Sequence, residues 1–257
     1  MQGTNESVNV VVGVPIYRAG AYILDKFLAN QEEIQQSYPS SELVFATSEP
    51  DFVKELEGAL SLWGLKGKVL RYEIIKPDYA KSRFWNVACG KEAIRRYTLS
   101  KTKAKYLLSL DADMTYDSNI IGIMEKEIQN CDVVCSGYPL RDFGMCLTGG
   151  GCCMLTAALM KGVRFRCLEF KNGVAISEDT LLELDLIRSG KRMKKGFFLA
   201  ISHYDNEGQA KAIRPRPLGL YRRITQSGLV RYALIRASIT SKHNIGDWLR
   251  RLIYRFR

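Results

Sequence analysis

YLLSLDADMTYDSN, residues 106–119, joins a short apolar run to a dense set of acids. Tyr106 to Leu110 has the length and character of a strand buried on both faces. Asp111, Asp113 and Asp117 follow it directly. A solvated turn ending in a helix cap would look similar. Asp117, in Asp-Ser-Asn before an apolar periodic run, is expected to be such a cap. Carboxylates at the end of a buried strand have a second use. They are held on a rigid element, which a metal site needs. Hard cations such as Mg²⁺ and Mn²⁺ are held by one or two carboxylates together with the phosphates of a substrate.

The segments around this stretch alternate between strand and helix patterns. Residues 8–14 are almost all valine, as a doubly buried strand would be. A turn near Gly20 leads to a helical pattern through Ile23, Leu24, Phe27 and Leu28. A strand is predicted over 43–46, then a helix opened by Pro50 and ended by Gly64. Further elements follow: a strand over 68–75, a helix over 81–98, a strand over 106–110, a helix over 117–129 and a strand over 131–137. Such alternation predicts an α/β fold with a mostly parallel sheet and helices on both faces. Ligands of such sheets bind outside the carboxyl ends of the strands, where Asp111 and Asp113 stand.

Composition narrows the class. The 257 residues can bury a sizeable core. A 46% apolar and 25% charged composition is that of an ordinary globular protein. No stretch reaches the roughly 18 to 20 apolar residues of a membrane span. No basic region precedes the first apolar run, so a secretory signal is not expected. The seven cysteines include no CxxC pair, which points to buried free thiols in a reducing cytosol. The formal charge is +11, and residues 209–257 carry all of it, with twelve Lys or Arg against Asp247 alone. We therefore divide the chain into a neutral body, 1–208, and a basic extension, 209–257, suited to an anionic partner.

Three further stretches bear on the acids. In AKSRFWNVACGKEAI, 80–94, Arg83 and Asn86 share a helical face near its start, where phosphate contacts are favoured. In AISEDTLLELDLIRSGK, 175–191, Ser177 can cap a helix beginning with Glu178 and Asp179. An acid on a packed helix facing a cleft is also placed to be a general base. In GFFLAISHY, 196–204, His203 ends a strand-like run and is an acceptable Mn²⁺ ligand.

In this order, VVVGVPIYRAGAYI, SRFWNVACG, LSLDAD, TGGGCCMLT and SEDTLLELDLIRSGKR resemble the family 2 glycosyltransferases of GT-A fold, over roughly residues 8 to 204. The resemblance implies sugar transfer from a UDP- or GDP-linked donor, with Mn²⁺ or Mg²⁺ as cofactor. It implies that Pro15, Ile16 and Tyr17 cradle the nucleotide and that Glu49 or Asp51 contacts the base. Arg83 and Asn86 take the places of the family's Arg and Asn. Asp111, Ala112 and Asp113 take that of its D-x-D motif at the nucleotide-sugar. Asp113 and His203, with Asp111, are the implied metal ligands. Glu178 and Asp179 match the catalytic pair, with Asp179 as base in an inverting displacement.

On a helical wheel, Trp248, Leu249, Leu252, Ile253 and Phe256 of HNIGDWLRRLIYRFR, 243–257, fall within an arc of about 140°. Arginines fill the other side. This is the pattern of a helix lying on an anionic membrane, and it fits a peripheral cytoplasmic enzyme with a polyprenyl-linked or membrane-proximal glycan acceptor. Packing of the same segment on the body is the plainer account. A nucleic-acid binder using Tyr221, Tyr232 and Trp248 is the rival from another class, but it leaves the acids unexplained. The body is also neutral rather than basic, so no nucleic-acid partner is expected. A sugar-nucleotide nucleotidyltransferase, a second rival, would need more glycines after the first strand than GVPIYRAGAY has.

Overall fold

A computed structural model describes residues 8–140, 144–147, 150–171, 173–225 and 227–240. Its centre is a seven-stranded sheet. Strand β1 (Val10–Pro15) pairs in parallel with β2 (Ser41–Thr47), and β2 with β3 (Gly67–Arg71). On its other side β1 pairs in parallel with β4 (Tyr106–Leu110). A short β5 (Met114–Tyr116) leaves this sheet. Beyond them come β6 (Val133–Ser136), the hairpin of β7 (Tyr138–Pro139) and β8 (Met145–Cys146), and β9 (Cys152–Thr156). Strand β9 lies antiparallel between β4 and β6. The remaining strands are β10 (Leu168–Glu169), β11 (Ala175–Ile176), β12 (Met193–Gly196), β13 (Ile201–Tyr204) and β14 (Ala210–Ile213). Strand β12 closes the main sheet beside β6, while β5, β13 and β14 form a separate three-stranded sheet.

Valine-rich β1 is buried on both faces because helices cover both. Val10, Val12 and Val14 pack with residues of α1 (Leu24–Ser37), α2 (Pro50–Leu62) and α4 (Ile120–Ile128). Val11 packs on the opposite side, with residues of α3 (Phe84–Lys101), α5 (Ala157–Gly162) and α6 (Glu178–Arg188). Helix α3 crosses β1 so closely that a Cβ at Gly13 would lie 2.5 Å from Ile94 Cγ2. Pro50 opens α2, and Gly64, at φ +62°, follows its end, as expected. Two more helices, α7 (Leu220–Thr225) and α8 (Gly228–Thr240), complete the described chain.

Several expectations shift. Strand β3 stops at Arg71 rather than residue 75, because its neighbour β2 ends at Thr47, the partner of Arg71. Helix α3 runs over 84–101 rather than 81–98: the Glu169 carboxylate takes the Lys81 and Ser82 N–H groups before the helix begins. The helix expected over 117–129 is the shorter α4, and Asp117 is not its cap. Asn119 occupies that position, while Asp117 Oδ2 accepts from the Ala200 N–H at 2.7 Å. The single run over 196–204 divides at 197–200, so β12 and β13 join different sheets. The composition boundary at 209 falls inside the β13–β14 hairpin. Helix α8 is bound to α6, where Arg231 bonds both oxygens of buried Glu183. The predicted amphipathic segment 243–257 lies outside the described residues. No helix among the described residues is long and apolar enough to cross a membrane.

Candidate active site

A cavity of about 470 Å³ opens at the carboxyl ends of β1 and β4. Pro15, the last residue of β1, and Ile16 and Tyr17 directly after it line one part of the cavity, and Arg83 stands at the start of α3. Asp111, Ala112 and Asp113 line it after β4. Glu178 and Asp179 enter from the first turn of α6, and His203 from β13. Glu49 and Asn86 do not line the cavity. Glu49 Oε2 instead accepts from the Arg18 N–H at 2.9 Å, holding the loop after β1. Asn86 Oδ1 accepts from Ser48 Oγ at 3.1 Å and from the Tyr72 hydroxyl. Asp51 is an exposed residue of the first turn of α2.

The D-x-D loop is held from three directions. Asn30 of α1 bonds both the N–H and the carbonyl of Tyr116 in β5. The Tyr116 hydroxyl accepts from the Asp111 N–H at 3.1 Å and donates to the Gly151 carbonyl at 2.7 Å. Because β5 pairs with β13, with Met114 opposite His203, Asp113 is brought to the histidine. His203 Nε2 lies 3.4 Å from Asp113 Oδ2. Nδ1 lies 2.7 Å from the Pro139 carbonyl, which can only accept, so Nδ1 carries a proton and Nε2 is the ring nitrogen turned toward Asp113. Tyr138 stands edge-on to the imidazole, with ring centroids 6.2 Å apart.

Among the described residues, no group of three or more His, Cys, Asp or Glu side chains is arranged to hold a metal ion. The expected set of Asp111, Asp113 and His203 is therefore not assembled as three ligands. Asp111 turns toward β9, where a Cβ on Gly151 would sit 2.4 Å from its Oδ2. The Asp113–His203 pair does fit a hard or borderline divalent cation that completes its shell with substrate oxygens: a carboxylate oxygen and an imidazole Nε2, the nitrogen not engaged by Pro139, lie 3.4 Å apart.

Lys91 was not anticipated. It is buried in α3, with Nζ 2.7 Å from Glu178 Oε1 and 3.1 Å from Asp179 Oδ1. Its sequence signal was periodicity: Ala88, Lys91, Ile94 and Thr98 fall on the buried face of α3. Burial opposes its charge, but the Asp179, Glu178 and Asp111 carboxylates outweigh this and hold its pKa well above the ordinary lysine value. Two acids share this one ammonium. Burial, then the neighbouring Asp179 charge, pushes Glu178 up to about 7. Burial likewise pushes Asp111 up to about 6, against the pull of Lys91. Ser177 precedes α6 as expected, but its hydroxyl meets Thr180 Oγ1 at 3.1 Å rather than capping the helix.

No family model matches the chain, and no curated protein matches it. Solved structures do. The mannosyltransferase PcManGT from Pyrobaculum calidifontis, in complex with GDP-Man and Mn²⁺, superposes with a TM-score of 0.50 at 15% identity, covering 74% of this chain and 55% of that one. S. aureus TarS 1-349 superposes with a TM-score of 0.55 at 11% identity, covering 92% of this chain and 74% of that one. The fold is that of the GT-A-type glycosyltransferases. The chain spans about half the length of PcManGT.

Proposed function

We propose that the protein is a glycosyltransferase that moves a sugar from a UDP- or GDP-linked donor to an acceptor. The observation that carries this reading is the 3.4 Å approach of His203 Nε2 to Asp113 Oδ2 in the cavity that also holds Glu178 and Asp179. The donor and metal of PcManGT, GDP-Man and Mn²⁺, support the same chemistry. In this reading Pro15, Ile16 and Tyr17 seat the nucleotide, and Arg83 meets its phosphates. Glu49 and Asn86 act indirectly, by fixing the loop after β1 and the start of α3. Asp113 and His203 would hold Mn²⁺ or Mg²⁺, which when bound would supply positive charge to the departing diphosphate. Asp179 removes the acceptor proton as the acceptor oxygen bonds to the anomeric carbon. The bond from that carbon to the diphosphate breaks on the opposite face, which gives inversion. An acceptor that is already an ionised phosphate would need only orientation from Asp179.

A polyprenyl-linked or membrane-proximal glycan is the acceptor class that fits residues 209–257. Leu220, Ile224 and Leu229 are 75%, 56% and 82% exposed, in a region rich in arginine. We place the protein peripherally on the cytoplasmic face of a membrane. Thermal shift with UDP and GDP, with and without Mn²⁺, tests the class: a metal-dependent rise with one nucleotide is expected. Donor turnover by Asp113→Ala and Asp179→Asn tests the assignments. Wild-type rates in both variants would remove them.

A further inference from the structure

The two acids at the head of α6 are adjacent in sequence but face two environments. Glu178 is 4% exposed at its side chain and Asp179 24%. Lys91, 3% exposed, stands behind both. Its ammonium takes Glu178 Oε1 and Asp179 Oδ1, so Oδ2 is the Asp179 oxygen left to a ligand in the cavity. The chain keeps space for this lysine. A Cβ on Gly150 would lie 1.8 Å from Lys91 Nζ and 2.6 Å from Asp179 Oδ1. Ser109 Oγ fixes the backbone there by donating to the Gly150 carbonyl at 2.9 Å. Burying an ammonium is costly unless its partners are well placed, and here two carboxylates meet it.

We propose that Lys91 is a positioning residue for glycosyl transfer: its ammonium clamps Asp179 so that Oδ2 is presented to the acceptor, with Glu178 Oε1 holding the ammonium from behind. This rests on the reading of Asp179 as the base. An unclamped aspartate would sample several rotamers, few of them within reach of the acceptor proton. The nucleotide would sit at Pro15, Ile16, Tyr17 and Arg83, none of which Lys91 bonds, so donor affinity should change little without the lysine.

Lys91→Met removes the charge at similar length, and Lys91→Met/Glu178→Gln removes the charge pair together. Both variants should keep the wild-type thermal shift with nucleotide and Mn²⁺. In Lys91→Met, kcat should fall at least about 100-fold, with donor KM within about threefold of wild type. The double variant should regain Tm but not kcat. Recovery of kcat together with Tm, or a Lys91→Met enzyme with wild-type kcat, would overturn the positioning role alone. A wild-type protein that turns over no UDP- or GDP-linked sugar would overturn the functional reading and this role with it.

Discussion

The Pro139 carbonyl accepts from His203 Nδ1 and so turns Nε2 toward Asp113. Similar exactness governs the acid pair. Glu178, with a carboxyl raised to about 7 by burial and then by Asp179, binds its proton more tightly folded than unfolded. Between its ordinary value and about 7 the folded state therefore holds the extra proton. Stability from this group is present at low pH and is lost as pH rises through about 7. Urea unfolding at pH 5, 6, 7 and 8 should show falling stability, with a shallower fall in Glu178→Gln. Asp111, raised to about 6 chiefly by burial, adds a fall of the same sign at lower pH. Gly150 is the other sensitive residue, since an added methyl meets the Lys91 ammonium. Gly150→Ala should cost about 1–3 kcal/mol in urea unfolding, as overpacking does, and should lower kcat as Lys91→Met does.

Strand β9 brings the glycines to the acids. The chain returns from β6 to β9 through the β7–β8 hairpin, without a crossover helix, and so runs antiparallel. Its amino end consequently meets the carboxyl end of β4, with Cys152 opposite Leu110, and Gly150 and Gly151 arrive beside Lys91 and Asp111. Helix α3 is fixed by a different element. Glu169 of β10 bonds the Lys81 and Ser82 N–H groups and Trp85 Nε1, setting where Arg83 enters the cavity. Helix α6 has its own anchor, since buried Glu183 bonds Lys195 of β12 and Arg231 of α8. Arg231→Ala should remove charge-assisted bonds at a buried carboxylate and cost about 2–4 kcal/mol. Limited proteolysis should then cut α8 sooner than in the wild-type protein, while nucleotide binding persists.

At the scale of the whole molecule, a neutral body carries a basic extension whose first part is built into the fold through β14 and α8. Deleting residues 243–257 should reduce pelleting with anionic liposomes at low salt and leave nucleotide binding unchanged. Pelleting equal to that of the full chain would argue against membrane contact by that segment. The sequence alone determined the alternating α/β pattern, the doubly buried β1, the acids at the end of β4 and the concentration of charge after residue 208. These are matters of local periodicity and composition, which each segment carries in itself. The candidate site was legible as a set of residue types, but not as a geometry. The approach of Asp113 to His203 was implied by the family resemblance, but only the tertiary structure decided that β9 runs antiparallel, that the run over 196–204 divides between two sheets, and that Lys91 lies under Glu178 and Asp179. Each of these depends on pairing between segments far apart in the chain. Such pairing is set by the burial and hydrogen bonding of both partners at once, and neither segment's own pattern contains it.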